Sequence, residues 1–134
     1  MSFSFDKVWA ELNAIYAERS EQRPFFTSNL KESDIARWCG YLGSPRADLY
    51  DQIALRVARG YHENDLDFTL CDAIVNQIHA VIISSDESRP SLFWRVFDAF
   101  DEGEYYHDDD RDEDPEEVYT RPQIARIVED LCGQ

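Results

Sequence analysis

Residues 68–83 read FTLCDAIVNQIHAVII, and this stretch identifies the chain as helical. It contains no lysine, arginine or glutamate, and Asp72 is its only formally charged residue. Its apolar residues recur at the three-and-four spacing of an α-helix. A helix that is apolar on nearly every side is expected in the middle of a helical bundle. The residues that share its most apolar face are Cys71, Ile74, Val75, Ile78 and Ile82.

The same helical period extends through most of the chain on both sides of this stretch. A helix that begins at Ser44 and Pro45, with the serine as N-cap, is predicted to end at Gly60. No segment alternates every two residues beside a hairpin turn, so no sheet is expected. We therefore predict an all-α protein, a compact bundle of about six helices with one acidic loop between the last two. The other helices are predicted at about residues 4–20, 31–42, 67–83 and 91–102, and from Thr120 to Gly133.

Length, composition and cysteine usage narrow the classes of protein that fit this chain. A length of 134 residues with 43% hydrophobic residues predicts a single helical domain over residues 1–134. A pI near 4.4 argues against direct nucleic-acid binding and against anionic membrane surfaces. The three cysteines form no CxxC motif, and neither a signal peptide nor an apolar run long enough to span a bilayer is visible. We therefore expect a cytoplasmic protein.

The segment from Asp98 to Glu117, DAFDEGEYYHDDDRDEDPEE, holds the strongest functional signal. It contains twelve of the 28 acidic residues against one base, Arg111, which leaves a net charge of −11 out of −15 for the whole protein. Solubility alone would favour dispersed carboxylates, because these repel one another less. Such a concentrated charge is useful mainly for binding metal cations or a basic protein. The alternative is a solvated, partly disordered loop whose charge serves solubility.

Two further details favour recognition of a basic protein. Asp98, Asp101 and Glu102 lie near the C-terminal end of the fifth predicted helix, where carboxylates oppose the helix dipole. Tyr105 and Tyr106 lie among the acids, and tyrosine is one of the residues that contribute most to interface energy. The predicted partner-binding residues are Asp101, Glu102, Glu104, Tyr105, Tyr106, His107, Asp108, Asp109, Asp110 and Asp112.

In its chemistry this segment is similar to the binding surface of the small helical immunity proteins that neutralise bacterial nuclease toxins. Those proteins also place paired tyrosines among carboxylates, and the similarity covers about residues 102–110 without extending to chain length or helix count. It implies that Tyr105 and Tyr106 are aromatic anchors for a basic partner such as a toxin or nuclease. The carboxylates that it implies around them are Asp101, Glu102, Glu104, Asp108, Asp109 and Asp110.

The leading hypothesis is therefore an immunity protein, antitoxin or inhibitor that binds a basic partner through residues 98–117. A protein that mimics DNA is a close variant of this hypothesis. It would need two rows of carboxylates at phosphate-like spacing over a long face, which one local cluster supplies poorly.

A divalent-metal site is the first alternative, because hard cations favour carboxylate oxygens. The spacing does not match an EF-hand loop. In the register that starts at Asp108, Glu113 replaces the required glycine and Tyr119 the final glutamate, while the register that starts at Asp98 places Phe100 at a ligand position. A looser calcium or magnesium site remains open, and its ligands would be Asp108, Asp110, Asp112 and Asp114.

An enzyme is the second alternative. Asp72, Asn76 and His79 form a stripe on the helix over residues 68–83, at positions i, i+4 and i+7. They could form a carboxylate–imidazole site inside the bundle, yet one Asp and one His without a nucleophile or a metal partner form no recognisable catalytic set. A structural hydrogen-bond network or a stripe facing solvent is the favoured explanation of the pattern. No P-loop or dinucleotide-binding glycine pattern is present, so no cofactor is expected and a non-enzymatic function is favoured.

Overall fold

The computed structural model describes residues 2–22, 30–88, 90–105 and 114–132. Within these ranges the chain forms six α-helices, one π-helical segment and no strand, which confirms the predicted all-α bundle. None of the described helices combines the length and the apolar character needed to cross a membrane. The elements are α1 (Ser2–Gln22), α2 (Glu32–Leu42), α3 (Arg46–His62), α4 (Phe68–Ser84), α5 (Ser91–Glu102), the π-helical segment (Glu116–Thr120) and α6 (Arg121–Cys132).

Several helix ends follow local signals in the sequence. Asp67 is the N-cap of α4, and its Oδ1 accepts a hydrogen bond of 2.8 Å from the backbone N–H of Leu70. Gly43 ends α2 in the left-handed conformation with a φ of 63°, which glycine adopts without a steric penalty. α5 occupies residues 91–102, the range that its apolar period predicts. These ends depend on residues close in sequence, so they can be located without knowledge of the fold.

We expect Asp67→Ala to lower the free energy of unfolding by about 1 kcal/mol, because the N–H of Leu70 loses its partner at the start of α4. Asp65→Ala is the matched control, since it removes an exposed carboxylate two residues earlier and should change stability by less than about 0.5 kcal/mol. Urea denaturation of the two variants measures the difference. Equal losses in both would show that the cap does not stabilise the protein.

The boundaries of α3 differ from the predicted ones at both ends. The helix begins at Arg46 after Pro45 as N-cap, so Ser44 is not the cap that the sequence predicts. At the other end the helix continues for two residues beyond Gly60. Gly60 is buried, and a Cβ at this position would collide with the side chain of Leu66 in the following loop. This glycine therefore permits close packing of the loop and does not end the helix.

α3 lies at the centre of the fold, because it packs against α2, α4, α5 and α6. α4 packs mainly against α3 and α5, so it is not the central helix that its apolar sequence predicts. Uncharged residues such as Thr69 and Ala80 lie on its exposed side, and Ile83 is 61% exposed. The low formal charge of α4 therefore reflects an uncharged outer face rather than burial on all sides.

The end of α5 packs against the π-helical segment. This segment directly precedes α6, so α6 begins at Arg121 and not at the predicted Thr120. The buried Thr120 hydroxyl donates a hydrogen bond of 2.7 Å to the carbonyl of Ala99. This carbonyl is one of the last four of α5, which lack partners within the helix. Gly103 directly follows α5, and a Cβ there would collide with Thr120 Oγ1. Residues 103 and 120 therefore lie together and join the two ends of the acidic loop.

Candidate functional site between α4 and α5

Two features that lie far apart in the sequence meet between α4 and α5. Asn76 belongs to the polar stripe of α4, and its Nδ2 donates a hydrogen bond of 2.9 Å to Oε2 of Glu104, just past the end of α5. The same amide nitrogen donates to the carbonyl oxygen of Asp72 at 2.8 Å. The polar stripe of α4 and the beginning of the acidic segment therefore form one site.

Asp72 and Glu104 bring two carboxyl groups within hydrogen-bonding reach of each other. Both are acceptors when ionised, so a hydrogen bond between them requires a proton. Burial, and then the neighbouring Glu104 carboxylate, raise the pKa of Asp72 to about 8. Asp72 Oδ1 is itself buried and accepts no hydrogen bond from the described residues. This raised pKa favours the protonated form of Asp72, in which its carboxyl group can donate a hydrogen bond to Glu104.

Asp101 adds another carboxylate to this site. Burial raises the pKa of Asp101, and the charges of Glu104 and Asp98 raise it further. His79 acts in the opposite direction, so its imidazole lies close enough to favour the ionised form of Asp101. Four carboxyl groups thus lie together at this end of α5. We call them the acidic cluster, and they are Asp72, Asp98, Asp101 and Glu104.

No described lysine or arginine forms an ion pair with the acidic cluster. Arg95 lies on α5 only three residues before Asp98, yet it pairs with Asp130 of α6 at 3.1 Å. Among the described residues, no lysine or arginine therefore compensates the negative charge of the cluster. The other described acids that pair with arginines are Glu11 and Asp34 with Arg37, Glu32 and Glu87 with Arg46, and Glu116 and Glu117 with Arg121.

Aromatic side chains continue the site towards the other end of α4. The His79 ring stacks on Phe97, with centroids 4.1 Å apart and an interplanar angle of 21°. Trp94 stacks in turn on Phe97, with centroids 5.5 Å apart and an angle of 24°. Phe97 is buried, whereas Trp94 is 38% exposed and presents a large apolar surface next to the acids. The site therefore combines negative charge with exposed aromatic area.

The far end of the acidic segment has a different, structural role. The Tyr61 hydroxyl donates a hydrogen bond of 2.7 Å to Glu116 Oε2. Arg121 pairs with Glu116 and Glu117, and its guanidinium lies 4.9 Å from the centroid of the Tyr61 ring. These two glutamates are therefore compensated within the protein, and they attach the π-helical segment to α3 and α6.

The predicted partner-binding residues fall into two groups. The structure describes Asp101, Glu102, Glu104 and Tyr105, and Tyr105 is 51% exposed beside the acidic cluster. Sequence reasoning left Trp94 out of the site, although its spacing of four and seven residues from the α5 acids is a detectable signal. The remaining predicted residues lie outside the described residues, and they are Tyr106, His107, Asp108, Asp109, Asp110 and Asp112.

The predicted metal site falls mostly on residues that the structure does not describe. Of its four aspartates only Asp114 is described, and its side chain is exposed. Among the described residues, no group of three or more His, Cys, Asp or Glu side chains could hold a metal ion.

The two residues of the predicted catalytic stripe face different partners. The Asp72 carboxyl group meets Glu104, while the His79 ring stacks on Phe97. Asn76 lies between them in the stripe, and its side-chain amide donates a hydrogen bond to Glu104. The stripe therefore positions the acids at the end of α5, and the hypothesis of a carboxylate–imidazole catalytic site stays a prediction.

No family model, curated protein or solved structure matches this chain. Its function must therefore be inferred from the chemistry of the site. An uncompensated acidic cluster beside exposed aromatic rings can attract a guanidinium or ammonium group by charge and hold it by stacking.

Proposed function

We propose that this protein binds a basic partner protein at the acidic end of α5 and thereby inhibits or regulates that partner, as an inhibitor, antitoxin or immunity protein does. The observation that carries the proposal is the acidic cluster, which gathers four carboxyl groups without an ion pair to a described lysine or arginine. A natural sequence that needed only stability would separate these acids or add a basic residue among them. In this proposal the partner places lysine or arginine side chains against these acids.

Electrostatics supports the proposal in two ways. Burial raises the pKa of Asp101, repulsion by Glu104 and Asp98 raises it further, and a cation from a partner would relieve this repulsion. The C-terminal end of the α5 dipole adds partial negative charge at the same place. A field of this kind accelerates association with a basic protein and disfavours acidic ones.

Tyr105 also supports the proposal, because an exposed tyrosine can contribute packing energy to an interface. Its side chain is 51% exposed and lies next to Glu104 in the sequence. Tyrosine buries a large area with little loss of conformational entropy, and such residues often dominate interface energy when charged groups surround them. Tyr105 is therefore the described residue best placed to anchor a partner.

We expect a variant that neutralises three members of the cluster, Asp98→Asn with Asp101→Asn and Glu104→Gln, to lose the partner. The wild-type protein, used as bait in lysate of its native cell, should retain a basic protein that this variant releases. Retention should be strong at about 50 mM salt and weak at about 500 mM, because salt screens exposed charges. With the purified partner, the dissociation constant of the variant should be at least about tenfold higher.

The matched control is the variant Asp6→Asn, Glu63→Gln and Glu129→Gln. It changes the net charge by the same amount at exposed positions away from the acidic cluster. This control should retain the partner as the wild type does. Release by both variants would assign capture to net charge alone, and retention by both would contradict the proposed function.

A further inference from the structure

One strip of surface between α4 and α5 contains exposed apolar side chains together with carboxylates that pair with no described lysine or arginine. The two helices run antiparallel in contact, since Asn76 meets Glu104 at one end of the strip and His79 meets Trp94 further along, with ring centroids 6.1 Å apart. Continuing in the same direction leads to Ile83 near the end of α4, which is 61% exposed. We call the surface formed by Ile83, Trp94, His79, Asp98 and Asp101 the α4–α5 strip.

The two ends of the α4–α5 strip differ in chemistry. The apolar end contains Trp94, near His79, and Ile83, one turn beyond His79 on α4. Both belong to the four large apolar side chains that are exposed among the described residues. Asp98 and Asp101 form the acidic end, without a described ion pair. Trp94 and Asp101 are seven residues apart on α5, which corresponds to roughly 10 Å along the helix axis. A ligand that matches the strip must therefore offer an apolar group and a cation at this separation.

We propose that the α4–α5 strip is the docking site for an amphipathic helix of the basic partner, which places an apolar side chain against Ile83 and Trp94 and an arginine at Asp98 and Asp101. This inference rests on the proposed function and specifies the recognised segment. Two side chains seven residues apart on one face of a helix span the required distance of roughly 10 Å.

Arginine fits the acidic end better than lysine. Asp98 and Asp101 are three residues apart on α5, so their carboxylates lie about one helical turn from each other. A planar guanidinium placed between them can donate hydrogen bonds to both carboxylates at once. Lysine offers a compact point charge and loses this two-sided arrangement.

Three synthetic peptides of about 14 residues test the inference, with binding measured by fluorescence anisotropy at about 50 mM salt. The patterned peptide carries leucine and arginine seven residues apart on one helix face, the scrambled peptide has the same composition without that face, and the third replaces arginine by lysine. We expect the patterned arginine peptide to bind at least about tenfold more tightly than the scrambled one, and more tightly than the lysine peptide.

Variants assign the effect to the strip. Ile83→Ser with Trp94→Ser should remove the advantage of the patterned peptide, while Val118→Ser, at a similarly exposed apolar residue on the π-helical segment, should leave it unchanged. Circular dichroism and thermal unfolding check that each variant is folded. Asp98→Asn with Asp101→Asn should weaken all three peptides, because it removes the charge that they share.

Equal affinities for the patterned and scrambled peptides, including no detectable binding of either, would overturn the α4–α5 strip as a docking site. So would an unchanged preference in the variant of Ile83 and Trp94. After either result, the capture experiment with the neutralised acidic cluster would still test the proposed function independently. Loss of capture by neutralised acids together with an inactive strip would place the partner elsewhere on the acidic segment.

Discussion

Gly103→Ala is expected to lower the free energy of unfolding by about 1–3 kcal/mol, the usual effect of overpacking a closely packed site. The added Cβ would collide with Thr120 Oγ1 and lie 3.0 Å from Cε1 of Phe68. Thr120 cannot turn away at little cost, because its buried hydroxyl donates to the Ala99 carbonyl at 2.7 Å. Urea denaturation of the purified variant measures the loss.

A double-mutant cycle with Thr120→Ala tests this cause. Thr120→Ala alone should destabilise the protein by about 1–3 kcal/mol, because the buried carbonyl of Ala99 loses its donor. It also removes the atom that the new Cβ would strike. Gly103→Ala should therefore cost less than about 1 kcal/mol in the Thr120→Ala background, so the two effects would be strongly non-additive. Additive losses would contradict the collision with Thr120 Oγ1.

Gly40→Ala is the control for the general effect of replacing a helical glycine. Nothing lies within 4 Å of a Cβ added at Gly40, which is exposed within α2. The same change should therefore stabilise the protein by about 0.5–1 kcal/mol, since alanine is the better helix former. A gain in stability from Gly40→Ala together with a loss from Gly103→Ala would show that the packing around each glycine decides the effect.

The contrast between Gly43 and Gly60 shows how far the sequence predicts this fold. Gly43 ends α2 because of its own backbone conformation, which is a local property and predictable. Gly60 looks the same in the sequence, yet it lies inside α3 because the side chain of Leu66 packs against it. Nothing local distinguishes a glycine needed for its φ from one needed for close packing. The same holds for Gly103, whose neighbour Thr120 is distant in the sequence.

The sequence predicts the separate parts of the candidate site, but it does not predict that these parts meet. The stripe of Asp72 and Asn76 follows from helical spacing, and the acids near Glu104 follow from composition. Their contact depends on the antiparallel register of α4 and α5, which the packed core sets. The raised pKa of Asp72 depends in turn on burial produced by that packing. Sequence alone therefore could not show that the stripe and the acidic segment form one site.

The stability of the protein is expected to fall as the pH rises from about 4 to about 8, and Asp72→Asn should remove much of this fall. The pKa of Asp72 rises from 3.8 to about 8 on folding, so the folded state holds the proton more tightly than the unfolded state. This contribution to stability is fully present below pH 3.8 and is lost as the pH rises through about 8. Asparagine carries no charge at any pH and keeps the size of the side chain.

At pH 8.5, a value above the raised pKa, Asp72→Asn should increase the free energy of unfolding by roughly 1–2 kcal/mol, after allowance for solvent screening at this partly exposed residue. At pH 4 the two proteins should be nearly equal. Asp51 and Asp101 also have raised pKa values from burial, so the variant should keep a smaller slope of the same sign. Hydrogen bonds lower the pKa values of Glu11 and Glu32, so their contribution to the stability of the folded state is lost only as the pH falls into the acid range.

Urea denaturation of the wild type and of Asp72→Asn across this pH range measures the slopes, with Asp65→Asn as a control at an exposed acid. Parallel curves for the wild type and Asp72→Asn would show that Asp72 is ionised in the folded protein near neutral pH. Converging curves at low pH would show that Asp72 keeps its proton against Glu104. The acidic cluster would then gain a negative charge in alkaline solution, and a basic partner should bind more tightly there as long as its own cations stay protonated.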